Sequence, residues 1–100
     1  MYAIVNHLPI KDGTDWSELA QKVERFQAGI THAAFRGMGL IRASDTEAIV
    51  LVLFTSREVL DDIARNVAAP WFAENIRPYL AGPVSRSVGE IVAGSLRGKN

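Results

Sequence analysis

Ala48-Ile49-Val50-Leu51-Val52-Leu53-Phe54 is an unbroken apolar run in the middle of a chain of 100 residues. A strand with one wet face alternates apolar and polar side chains, so a continuous run needs cover on both faces. One small domain supplies one cover readily, by laying its helices on the sheet. The other face then needs a second subunit. The run therefore predicts a homodimer that meets through sheet faces.

Outward from this strand the chain alternates periods. Tyr2–Ile10 reads as a strand, and Lys11-Asp12-Gly13-Thr14 is turn chemistry. Asp15 caps a helix, with Glu18 at capping-box spacing. Trp16, Leu19, Ala20, Val23, Phe26 and Ile30 give that helix one apolar stripe. Phe35–Arg42 reads as a second strand whose glycines suggest a bend or bulge, and Ser44–Glu47 connects it to the apolar run. Ser56 caps a helix with core positions Val59, Leu60, Ile63, Ala64 and Val67. Pro70 suits the first turn of a short third helix, which Gly82-Pro83 ends. Val84–Ala93 reads as the last strand, and the final residues as a frayed tail. This order is the α+β, ferredoxin-like βαββαβ plan with an antiparallel four-stranded sheet, one domain over residues 1–94 and a flexible tail over 95–100.

Eleven basic and eleven acidic residues balance to zero net charge, which argues against a nucleic-acid or anionic-membrane partner. The absence of cysteine excludes disulfides, zinc–thiolate sites and iron–sulfur clusters. No basic leader is seen at Met1–Val5, and no segment approaches the roughly 20 apolar residues of a membrane span. The expectation is a cytoplasmic protein.

Several stretches resemble the antibiotic-biosynthesis-monooxygenase-like family of dimeric α+β barrels: Ala3–Leu8, Phe35-Arg36-Gly37, strand three running into Ser56-Arg57-Glu58, Ala69-Pro70-Trp71-Phe72, Pro78–Pro83 and Gly89–Val92. The resemblance covers nearly the whole chain. It implies paired sheet faces and a ligand cavity between the helices and the sheet of each subunit. It also implies cofactor-free oxygenation of an aromatic phenol, quinol or anthrone, because several members do this and others degrade heme. In the heme degraders an asparagine falls at Asn6, a tryptophan at Ile63 and a heme-ligating histidine at Asn75. Isoleucine and asparagine cannot fill the last two roles, so heme degradation is disfavoured and no cofactor is expected.

Alternation places Ile4, Asn6 and Leu8 on one face of strand one and Ala3, Val5 and His7 on the other. Asn6 is then either a ligand contact or a member of a structural network, since buried amides are hydrogen-bonded. His7 is of the residue type that naturally serves as a general base near neutral pH, but its facing directs it to the interface. Asn6 and His7 are the catalytic candidates. Trp71, Phe72, Tyr79 and Trp16 are candidates for walls around an aromatic substrate, with core packing the alternative reading. Arg36 and Arg77 have the charge to meet an anionic substrate. His32, near the end of the first helix, would complement its dipole. The two histidines lie far apart without clustered carboxylates, so no metal is expected. Gly37-Met38-Gly39 is no dinucleotide loop, and Ser85 and Ser87 lie in no nucleophile elbow. Beside the oxygenase reading stands a second one, a non-catalytic small-molecule-binding or stress-associated dimer on the same fold.

Overall fold

The computed structural model describes residues 1–97. Four antiparallel strands, β1 (Tyr2–Pro9), β2 (Phe35–Ser44), β3 (Glu47–Phe54) and β4 (Ser85–Glu90), form one sheet in the order β2-β3-β1-β4. Helix α1 (Trp16–Ala28) follows β1. A rod made of α2 (Arg57–Ile63), a π-helical stretch (Ala64–Ala68) and α3 (Ala69–Asn75) follows β3. This is the expected ferredoxin-like α+β plan.

Local chemistry sets the element ends. The Asp15 carboxylate accepts the Glu18 backbone N–H at 3.1 Å and the Ser56 hydroxyl accepts that of Val59 at 3.3 Å, so each helix starts on a side-chain cap. The return half of the capping box is not made, because the Glu18 carboxylate is taken by Tyr79 and Lys22. Gly37, at φ 151°, carries the bulge where the β2–β3 register shifts between Phe35 and Gly37. β4 is shorter than Val84–Ala93. Glu90 pairs with Tyr2 at the start of β1, and beyond it the Ile91 N–H donates to the Met1 carbonyl at 2.9 Å. Ser95–Arg97 is a single 3-10 turn, and the rest of the expected tail lies outside the described residues.

The rod departs from the sequence reading at Val67. A plain helical period carries the inward face through Leu60, Ala64 and Val67, yet Val67 is 48% exposed. The inward positions are instead Leu60, Ala64, Ala68, Phe72 and Ile76, a step of four residues each time. An α-helix drifts off such a spacing, and the π-helical stretch absorbs the drift by inserting an extra residue into the turn.

Helices cover only one sheet face. Inward-facing Ile4, Leu8, Ala48, Val50 and Phe54 are buried. The other face carries Ala3, Val5 and His7 from β1, Ile49, Leu51 and Leu53 from β3, and Ile41 from β2. His7 and Ile41 are exposed there, and the rest of that row are half-buried. Their neighbours are small: register places Gly39 and Ser87 beside the Leu51–Val5 pair, and Gly37 and Gly89 beside Leu53–Ala3. The continuous apolar run thus serves two surfaces, one filled by helices and one open.

Candidate functional site

The buried core is split. One cluster, with Leu8, Leu19, Val23, Val50 and Ile76, packs α1 onto the sheet. A second, with Ile4, Ala34, Phe54 and Leu60, packs α2 onto it. Between them lies a cavity of about 290 Å³, whose walls include members of both clusters. Its size stands at the lower edge of the range for small-molecule pockets, about 300–1,000 Å³. The gap exists because the rod presents Ala64, Ala68 and Ala69 where larger side chains would reach the sheet. The π-helical turn is what aims Ala68 inward in place of Val67.

The roof is closed by aromatic contact. Phe26 from α1 and Trp71 from α3 stack with centroids 4.2 Å apart and planes at 20°, and Phe72 lines the cavity beside them. Apolar side chains from β1, β2 and β3 make the floor. Against this surface stand three polar side chains, Asn6, Arg77 and Arg86. Asn6 and Arg86 are register partners on β1 and β4, so they stand side by side on one face. The half-buried Asn6 amide makes no hydrogen bond to any described residue, and no described buried side-chain polar atom lacks a partner. The amide therefore opens into the cavity, where its two N–H donors and its carbonyl acceptor are free for a ligand.

The structure brings Asn6, Trp71, Phe72 and Arg77 together at the cavity and leaves the other candidates outside. His7 is exposed on the open sheet face, in a shallow depression with Glu47, Pro83 and Ser85. The Trp16 indole donates to the Asp45 carbonyl at 3.3 Å, with the Arg42 guanidinium 4.9 Å from its ring centroid, which ties the β2–β3 hairpin to the start of α1. The Tyr79 hydroxyl donates to the Glu18 carboxylate, and the Lys22 ammonium sits 4.9 Å from its ring centroid. Partial burial, followed by the Glu18 hydrogen bond, raises the Tyr79 pKa above 10.0, while Lys22 opposes the rise. Arg36 donates to the Ala33 carbonyl at 3.0 Å and is exposed. His32 lies beyond the Gly29 cap of α1, where its Nδ1 accepts the Ala34 N–H at 3.0 Å, so it serves the loop rather than the helix end. The Asn75 amide donates to the Trp71 carbonyl at 3.0 Å, while Ile63 lines the cavity. Among the described residues no cluster of metal-ligating side chains occurs, and no helix is long and apolar enough to cross a membrane.

Sequence reasoning passed over Arg86. The signal was present: once β4 is paired antiparallel to β1, the alternation that turns Asn6 inward turns Arg86 inward too.

No protein-family sequence model and no curated protein sequence matches the chain. Solved structures do. SnoaB, a cofactor-independent oxygenase from Streptomyces nogalater, superposes with a TM-score of 0.74 at 14% identity, over 94% of this chain and 95% of that one. A provisionally assigned antibiotic biosynthesis monooxygenase from Nitrosomonas europaea gives 0.73 at 11% identity, over 93% and 100%. The heme degrader MhuD from Mycobacterium tuberculosis, with two hemes bound in its active site, gives 0.70 at 19% identity, over 94% and 98%. The chain has the fold of the antibiotic-biosynthesis-monooxygenase-like proteins.

Proposed function

We propose that the chain is a cofactor-independent monooxygenase for an aromatic small molecule of phenolic, quinol or anthrone type, working as a homodimer joined through its open sheet faces. The observation that carries the reading is the cavity: apolar walls, a stacked aromatic roof and one free side-chain amide, on a fold shared with a cofactor-independent oxygenase. Cofactor-free oxygenation asks little more of a protein. The deprotonated substrate supplies the electrons, a methylene carbon and O2 become a carbonyl and water, and the site holds the ring, excludes water and stabilises the anion. Asn6 orients the substrate oxygen, and the Arg86 guanidinium beside it favours the ionised form. Trp71 and Phe72 hold the ring plane. His7, on the opposite face, has no part in this step. Its surroundings of Ile41 and Ile49 belong to the surface that a second copy covers.

Among the described residues no Asp, Glu, His, Lys or Tyr lines the cavity, which favours the second reading, a binding protein without catalysis. Oxygen consumption with a panel of anthrones and hydroquinones separates the two. The oxygenase reading predicts uptake above the uncatalysed rate and a loss of about 100-fold in Asn6→Ala, the usual contribution of one positioned polar donor. Uptake unchanged by Asn6→Ala removes Asn6 from the mechanism. No uptake from the wild-type protein across the panel, with binding retained, establishes the non-catalytic reading.

A further inference from the structure

Among the described residues the two arginines of the cavity have no counter-ion. Three ion pairs occur among the described residues, Lys22–Glu18, Arg42–Asp45 and Arg57–Asp61, and none includes Arg77 or Arg86. Neither guanidinium makes a side-chain hydrogen bond to a described residue, and no carboxylate of the described residues lines the cavity. Both residues are exposed although they line it, which places them at its mouth, with the apolar floor and roof behind them. This concentration of positive charge is local, because the chain as a whole carries zero net charge. Arg86 rises from the sheet next to the free amide of Asn6, and Arg77 approaches from the turn after α3. A guanidinium presents a planar fork of N–H donors matched to a carboxylate, and the adjacent amide adds a neutral donor.

From this juxtaposition we infer that the ligand is an amphipathic carboxylate: a compact aromatic body in the Trp71–Phe72 pocket, with its acid group on Arg86 and Arg77 at the mouth and Asn6 left to the substrate oxygen behind it. The inference rests on the cavity reading above and narrows its substrate class to molecules charged before they enter. Charge-assisted hydrogen bonds at a half-solvated mouth distinguish such a molecule from its neutral isostere by about tenfold in affinity.

Titration calorimetry with 2-naphthoate and 2-naphthamide, which share shape and differ in charge, tests it. The carboxylate is expected to bind about tenfold tighter than the amide. Arg86→Gln is expected to remove most of that difference and Arg77→Gln/Arg86→Gln all of it, while amide affinity stays within about twofold. Both arginines are exposed and unpaired, so the variants should fold, and a circular dichroism melt verifies this. Equal binding of the two probes, or a preference that survives in the double variant, overturns the inference. Ala68→Phe, which fills the cavity without touching the mouth, separates the two levels of the argument. If it abolishes binding of both probes and the wild-type protein binds the two equally, the cavity stands and the acid-specific reading falls. If binding of both is indifferent to it, or if neither probe binds the wild-type protein, the cavity reading falls and takes the inference with it.

Discussion

The sharpest structural prediction concerns Val67→Ala, with Leu60→Ala as its partner. If the rod were a plain α-helix, Val67 would lie on the inward face beside Leu60 and Ala64. Its truncation would then remove two buried carbons, about 1.6 kcal/mol of transfer energy, plus a cavity term, for about 2 kcal/mol in all. With the π-helical stretch in place Val67 is 48% exposed, so little burial is lost. Alanine also has the higher helix propensity, and the net change should lie within about 0.5 kcal/mol, on the stabilising side if anywhere. Leu60 is 0% exposed, and the same truncation there removes three carbons, about 2.4 kcal/mol before the void is counted. The void merges with the neighbouring cavity, so the total should be about 3 kcal/mol. For a domain of this size that is a fall of about 12–24 °C in Tm, against less than about 4 °C for Val67→Ala. Thermal melts by circular dichroism read both. A loss near 2 kcal/mol at Val67 would refute the inserted turn, and with it the reason that Ala68 faces the cavity.

Two further outcomes follow from single contacts. Asp15→Ala should cost about 1 kcal/mol through loss of the α1 cap, read in urea unfolding, while Asp15→Asn should cost much less because it keeps the acceptor. Tyr79 should titrate above 10.0 by ultraviolet absorbance in a Tyr2→Phe background, and Glu18→Gln should bring it back toward 10.0. Because the folded-state pKa is the raised one, this group favours folding fully below pH 10.0, and the contribution fades as pH rises through the folded value.

The fold was legible because its signals are local. The run Ala48–Phe54 announces a strand, Asp15 and Ser56 mark helix starts, and Pro70 marks the first turn of α3. Only Val67 departs from the periodic reading of the rod, because a 3.6-residue period cannot reveal an inserted residue. Nothing in Ala64-Arg65-Asn66-Val67-Ala68 declares a π-helical turn. The site was half legible. Asn6 follows from alternation alone, and Trp71 and Phe72 from their place on a short amphipathic helix. Trp16 and Tyr79 look equally aromatic in sequence, yet both are occupied as fasteners to α1 by partners 29 and 61 residues away. Arg86 shows the reverse case, a residue ordinary in sequence that acquires meaning only from its pairing with Asn6. Long-range partners of this kind are what a linear reading does not hold.

The division of the sheet into a cavity face and a pairing face is tested most directly by native mass spectrometry of the purified 100-residue chain. Leu51, Leu53, Ile49 and Val5, flanked by glycine and serine, predict a dimer at about twice 10.9 kDa, stable to dilution into the micromolar range. A chain that stays at 10.9 kDa at those concentrations would contradict the account. The open face would then be a wet surface, and the apolar run from Ala48 to Phe54 would have another cause.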